Sequence, residues 1–347
     1  MVDFPRALPA WRWSWGEEEV DPFKRFHSAA SHVHWPAGGD VGLPPNARSE
    51  RIETYEKECT GVRWRAERTR AEDGTNIALA VGDVTLPDGK ASSEPSSHIY
   101  ILYFQGNASS LPPRLPYLSK VLRPIAKLDE VRKGRTRVTM VCLSYRGYWT
   151  SKGSPSETGI NQDAVAAVKW VAQLHENTYA NNQDDRLVKP TLLLWGQSIG
   201  SGIATNLAAA CAMDAPMPVR AMILETPFLS VREMLVILYP WKWVPYRYLW
   251  PFLRNHLDSW RNLGTITDCH RAKNATLPKI FILEAGKDEL VPAEQGTRLH
   301  QRCLELALPV EKKTVAGAFH NEAIVRLDGR QAVTDFISRQ ITTPARR

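Results

Sequence analysis

Ser198 lies in Gly196-Gln197-Ser198-Ile199-Gly200, between an apolar run from Pro190 to Trp195 and a stretch of small helix formers from Ser201 to Ala210. Strand, G-x-S-x-G and helix in that order make a turn so sharp that the serine hydroxyl stands clear of the sheet. The glycines are there for a steric reason, since only residues without a Cβ let strand and helix pack that closely. A neutral serine is a poor nucleophile. It needs an imidazole to take its proton, a carboxylate to orient the imidazole, and N–H donors for the developing oxyanion. Of the nine histidines, His320 sits in the turn Gly317-Ala318-Phe319-His320-Asn321, between a final strand and the last helix. His175 and His300 fall inside predicted helices, and His98 precedes a strand on the wrong side. Asp288, in Gly286-Lys287-Asp288-Glu289-Leu290-Val291-Pro292 after the strand Ile280 to Leu283, is the candidate acid. Glu225, at the end of the preceding strand, is the second candidate, and Glu289 the third. The candidate oxyanion donors are the backbone N–H groups of Ile199 and Asn107, the latter in the loop Gln105-Gly106-Asn107-Ala108.

Each residue also has a plainer reading: a surface histidine, an aspartate capping the helix after Pro292. Order and position favour chemistry, because all of them fall at strand ends. The predicted strands run over Val62 onward, Asn76 to Val84, Ile99 to Phe104, Val138 to Leu143, Leu192 to Trp195, Ala221 to Leu224, Lys279 to Leu283 and Lys312 to Val315. Asp73-Gly74 marks a hairpin between the first two. Helices are predicted over Tyr117 to Leu128 with a kink at Pro124, Ile160 to His175, the segment after Ser198, Ala293 to Leu308 and Glu322 to Arg339. Such alternation specifies an α/β fold with a mostly parallel sheet, helices on both faces, and a site at the carboxyl ends of the strands.

About 50 residues separate Glu225 from Lys279, far beyond a usual connection. This insertion, about 227–277, holds Tyr239, Trp241, Trp243, Tyr246, Tyr248, Trp250 and Phe252. Pro240, Pro245 and Pro251 exclude a straight helix there. An apolar lid over the site fits, with Tyr239, Trp241, Trp243 and Tyr246 as candidate substrate contacts; a second small core is the plainer alternative. Residues 1–55 form an aromatic-rich extension containing Trp11, Trp13, Trp15 and Trp35. The main domain then spans 56–340 and a basic tail 341–347.

The chain has 347 residues, a net charge of +7 and five cysteines. Scattered cysteines without C-x-x-C spacing exclude a disulfide framework and a zinc site. Lys120 to Arg137 is basic but lacks the aromatic interleaving or fold signature of a nucleic-acid binder. Gly200-Ser201-Gly202 departs from the dinucleotide-binding pattern at Thr205. No metal or organic cofactor is expected. No apolar run reaches the roughly 18 residues of a spanning helix, and no signal peptide is visible, so a cytoplasmic or peripherally membrane-associated protein is expected.

Gln105-Gly106-Asn107-Ala108, Tyr145-Arg146-Gly147-Tyr148, Gly153-Ser154-Pro155-Ser156-Glu157, Gly196-Gln197-Ser198-Ile199-Gly200 and Gly286-Lys287-Asp288-Glu289 together resemble the bud-emergence-type α/β-hydrolases. That group includes a lysophospholipase and monoacylglycerol lipase branch, toward which Gly202 to Leu207 and Leu224-Glu225-Thr226-Pro227-Phe228 lean. Gln105 stands where the family usually has histidine, and Ser144 where an aspartate is frequent. The resemblance covers roughly residues 75 to 340. It implies the α/β-hydrolase fold, a Ser198, Asp288, His320 triad in that chain order, and lipid acyl esters cleaved through an acyl-enzyme. A palmitoyl-protein thioesterase or short-chain carboxylesterase would use the same triad, and a catalytically silent binding module is the alternative of another class. The Trp-rich extension and the lid are the expected points of peripheral membrane contact. Oligomeric state is not legible.

Overall fold

The inner strands of the central sheet are buried between two layers, so their residues alternate in which layer they face and not between core and water. The edge strands Val62–Arg70 and Val310–Val315 keep exposed positions. The computed structural model describes residues 48–86, 95–107, 110–180, 188–213, 217–238 and 256–342. β1 (Val62–Arg70) and β2 (Asn76–Val84) form an antiparallel hairpin that turns at Gly74, whose φ of 82° suits glycine. The remaining strands are β3 (Ser97–Phe104), β4 (Thr136–Leu143), β5 (Lys189–Gln197), β6 (Val219–Glu225), β7 (Lys279–Ala285) and β8 (Val310–Val315). The sheet order is β1-β2-β4-β3-β5-β6-β7-β8. β2 pairs antiparallel with both of its neighbours, and all other pairings are parallel. Strand order reverses around β3, which lies between β4 and β5. Such a reversal opens a crevice at the carboxyl ends of the strands.

The helices divide into two layers. α1 (Leu115–Leu122) and α7 (Leu327–Thr342) cover one face, burying Leu118, Val121, Val333, Phe336 and Ile337 against Ile101, Tyr103, Leu193 and Trp195. α2 (Glu157–Tyr179), α3 (Ile199–Met213), α5 (Ser259–Ala272) and α6 (Ala293–Glu305) cover the other. Their Ala164, Val168, Ile203, Leu207, Leu263, Ile266 and Leu299 pack against Tyr100, Leu102, Leu192 and Leu194. α4 (Val231–Leu238) follows β6 within the insertion. Cys142 is fully buried and Cys211 partly so, and all five thiols are free.

Several boundaries differ from the sequence expectations for identifiable reasons. The helix expected over Tyr117 to Leu128 ends at Leu122, and Arg123–Lys127 tightens into a 3-10 turn, because Pro124 cannot donate the next helical bond. α2 begins at Glu157 and not near Ile160, since the Ser156 side chain caps it by accepting the Gly159 N–H at 3.1 Å. The last helix starts at Leu327, after turns that bury Ala323 and Ile324. The insertion expected over 227–277 contains a body helix, α5, started by the Asp258 side chain accepting the Arg261 N–H at 2.9 Å. Tyr239, Trp241, Trp243 and Tyr246, and the tryptophans of the extension, lie outside the described residues. So does most of the basic tail. No helix among the described residues is long and apolar enough to cross a membrane.

Candidate active site

Ser198 occupies the single residue between the end of β5 and the start of α3, with φ at 54°. That left-handed conformation is unfavourable for a residue with a side chain, and the surrounding structure holds it in place. The Ser198 N–H donates to the Glu225 carbonyl at 2.8 Å, and its own carbonyl accepts from the Ser201 N–H at 2.9 Å. The Ser201 hydroxyl donates to the Gly196 carbonyl at 2.8 Å. Close approach explains the two flanking glycines. A Cβ on Gly196 would lie 2.1 Å from the Gly200 carbonyl oxygen, and one on Gly200 would lie 2.2 Å from that of Phe104.

The loop after β3 runs directly past the serine. A Cβ placed on Gly106 would stand 3.7 Å from the Ser198 Cβ and 3.3 Å from Gln197 Oε1. Asn107 follows it at the exposed lip of the site, while Gln105 and Gly106 are buried. Two tyrosines from the segment after β4 hold this loop. The Tyr145 hydroxyl donates to the Gln105 carbonyl at 2.6 Å, and the Tyr148 hydroxyl donates to Asn107 Oδ1 at 2.8 Å. Their rings pack edge to face, with centroids 5.6 Å apart. Sequence reading had the motif containing both tyrosines but no role for either.

Asp288 and His320 come together from the loops after β7 and β8. His320 Nδ1 lies 2.8 and 2.9 Å from the two carboxylate oxygens of Asp288. An ionised carboxylate only accepts, so a neutral imidazole here holds its proton on Nδ1 and leaves the lone pair on Nε2. Asp288 Oδ1 also accepts the N–H groups of Leu290 and Val291, at 3.0 and 2.8 Å. The two loops are zipped by Gly286 N–H to the Val315 carbonyl and Lys287 N–H to the Ala318 carbonyl, both at 2.8 Å. Glu289, the third candidate acid, accepts the backbone N–H of His320 at 3.0 Å and not a ring proton. The imidazole is nearly buried, at 3% exposure for the residue.

Beneath the serine lies a polar layer that sequence reading missed. Gln197 Nε2 donates to Asn321 Oδ1 at 3.0 Å, tying the turn that bears His320 to the strand that bears Ser198. The Tyr103 hydroxyl donates to Gln197 Oε1 at 3.4 Å. Glu225, the second candidate acid, is fully buried, and its Oε2 accepts the Trp195 indole N–H at 3.1 Å. Arg114 Nη2 stands 3.9 Å from Glu225 Oε1. The position of Glu225 at a strand end was legible, but its partners were not. Arg114 and Asn321 carry no motif.

An eight-stranded, mostly parallel sheet flanked by two helical layers, with a G-x-S-x-G turn after β5, defines the class: the chain has the α/β-hydrolase fold. It also has sequence relatives. It is 33% identical over 208 residues to the lysophosphatidylserine lipase ABHD12 of Danio rerio, covering 59% of this chain and 47% of the relative. It is 28% identical over 257 residues to the protein bem46 of Schizosaccharomyces pombe, covering 73% and 72%. The chain thus spans about half the length of the ABHD12 relatives it matches. No protein-family model matches. Among solved structures, a bacterial heroin esterase aligns with a TM-score of 0.56 at 19% identity, covering 91% of this chain and 98% of that one. A Rhizomucor miehei esterase structure aligns with a TM-score of 0.57 at 13% identity, covering 94% and 98%. At these identities the structural matches speak for the fold alone.

Proposed function

We propose that the chain is a serine hydrolase of carboxylic esters, with lipid acyl esters as its substrate class. The observation that carries this reading is the contact of His320 Nδ1 with both Asp288 carboxylate oxygens, on a turn tethered through Asn321 and Gln197 to the strained serine turn. In the proposed reaction Ser198 Oγ attacks the acyl carbonyl while His320 Nε2 takes its proton. The charge that develops on the carbonyl oxygen is met by the backbone N–H groups of Ile199 and Asn107. Collapse of the tetrahedral intermediate breaks the acyl–oxygen bond, and His320 returns the proton to the departing alcohol. Water, activated by the same imidazole, then attacks the acyl-enzyme and releases the acid.

The lipid component of the reading is supported by the ABHD12 relatives, which are lysophosphatidylserine lipases, and by the aromatic content of the insertion. Thioester cleavage would use the same groups. Exposure of the purified protein to a long-chain fluorophosphonate, followed by intact mass measurement, tests the reading directly. One adduct is expected on the wild type and none on Ser198→Ala. Adducts on both, or on neither with the protein folded and detergent present, would remove it and leave a hydrolase-fold binding module. A series of esters and thioesters of increasing chain length then separates lipase, thioesterase and short-chain carboxylesterase.

Peripheral membrane contact through the Trp-rich extension or the insertion belongs to the same proposal. Flotation with anionic and zwitterionic liposomes is expected to carry a fraction of the protein upward. Failure to float with either composition would dismiss the contact.

A further inference from the structure

The Asn107 N–H belongs to the peptide that joins Gly106 to Asn107. An oxyanion donor works only if it is held where charge will develop, and glycine gives the chain its widest backbone freedom at this point. Two phenols from one short segment close on either side of that peptide. On the near side the Tyr145 hydroxyl donates to the Gln105 carbonyl at 2.6 Å, which fixes the orientation of the Gln105–Gly106 peptide. The same carbonyl oxygen is seated against the first turn of α3, where a Cβ on Gly200 would come within 2.8 Å of it. On the far side the Tyr148 hydroxyl donates to Asn107 Oδ1 at 2.8 Å. Both tyrosines are buried, whereas Asn107 is exposed. Two phenylalanines would fill the same space, and a neutral hydrogen bond adds little net stability, so burial alone does not explain the hydroxyls.

The tyrosine segment is itself fastened to the body of the domain. The Arg146 backbone N–H donates to Asp163 Oδ2 at 3.0 Å, and Arg146 Nη2 donates to Asp163 Oδ1 at 2.7 Å. Arg146 Nη1 reaches Asp73 Oδ2, in the turn between β1 and β2, at 2.7 Å. Asp163 is fully buried on α2. The Ser151 hydroxyl donates to the Ser144 carbonyl and accepts the Ala78 N–H from β2, both at 2.8 Å. The phenols therefore stand on β2 and α2, elements that carry none of the proposed catalytic groups.

We propose that Tyr145 and Tyr148 are positioning residues that hold the Asn107 N–H in place for the oxyanion, Tyr148 acting through the Asn107 side chain. This rests on the serine-hydrolase reading. Neither phenol meets the substrate; each acts through the loop.

The test is steady-state kinetics on a soluble ester for Tyr148→Phe, Asn107→Ala and the double variant, with melting temperatures to check folding. Asn107→Ala keeps the backbone donor and removes only its tether. Each single variant is expected to lose about tenfold in kcat, less than removal of a donor outright, with KM within about twofold of wild type. Because both remove the same hydrogen bond, the double variant should lose no more than about twofold beyond either single. The inhibition constant of a trifluoromethyl ketone should rise in step with the fall in kcat/KM, which a merely structural role would not produce. Its hemiketal forms when Ser198 Oγ bonds to the carbonyl carbon, His320 takes the serine proton, and the carbonyl oxygen becomes the anion in the hole. Tyr145→Phe should act in the same direction and also lower the melting temperature, since it removes the partner of a buried carbonyl. Wild-type kcat in folded Tyr148→Phe or in Asn107→Ala overturns the proposal, and Asn107→Ala decides alone if the buried tyrosine variant does not fold. Losses that multiply in the double variant overturn it too, as does a raised KM at unchanged kcat, which would make Asn107 a substrate contact. In each of these cases Ser198→Ala remains inactive. Activity that survives Ser198→Ala would instead remove the serine-hydrolase reading, and this proposal with it.

Discussion

Asp288→Asn is expected to lower kcat about 10⁴-fold while the protein still folds. The asparagine Oδ1 can keep accepting the N–H groups of Leu290 and Val291, which the aspartate accepts at 3.0 and 2.8 Å. Its Nδ2 then faces His320 Nδ1, which lies 2.8 Å from the present Oδ2. A donor at that position makes Nδ1 an acceptor and places the ring proton on Nε2. The imidazole would then keep its orientation but have no lone pair toward Ser198. Steady-state kinetics should show a large loss in kcat with KM changed little, since ground-state contacts to substrate are untouched. A melting temperature within a few degrees of wild type would separate this from unfolding. A variant with wild-type kcat would mean that another carboxylate serves His320.

Gly200→Ala is expected to be strongly destabilising, costing about 3 kcal/mol or more in a urea titration. The new Cβ would meet the Phe104 carbonyl oxygen at 2.2 Å and that of Gln105 at 2.8 Å. Both obstacles are backbone, so no rotamer change relieves them. Either β3 or the first turn of α3 must shift, and the Gln105 to Asn107 loop would shift with it. The folded remainder should therefore also lose fluorophosphonate labelling. Gly264→Ala in α5 is the control, because its Cβ would approach only the end of the Arg302 side chain, at 3.3 Å. Alanine in a helix interior in place of glycine favours the fold by up to about 1 kcal/mol. Equal destabilisation by both substitutions would argue against the close-approach explanation.

Sequence and structure agree where the chemistry is local and part where it is assembled. The serine turn was legible because strand, G-x-S-x-G and helix are contiguous, and two glycines state the steric demand. The hairpin at Asp73-Gly74 was legible for the same reason. α5 was not: its segment sits in an insertion dominated by aromatics and prolines, and the stripe of Leu263 and Ile266 is short. Its start is marked by Asp258, a cap that gains meaning only once the chain before it is placed.

The sequence by itself determined the α/β alternation, the order Ser198, Asp288, His320, and the strand end at which each must fall. Hydrophobic periodicity and turn residues act over a few neighbours and are written in the chain directly. Only the tertiary structure decided which groups touch. Placing β7 beside β8 brings Asp288 within 2.8 Å of His320, across 32 residues of chain. The Tyr148 to Asn107 and Gln197 to Asn321 contacts bridge segments that no pattern links. The approach of Arg114 to Glu225 is of the same kind. Such pairings depend on sheet order and on the packing of whole layers, which are set by the summed burial of many side chains. No single residue announces its partner.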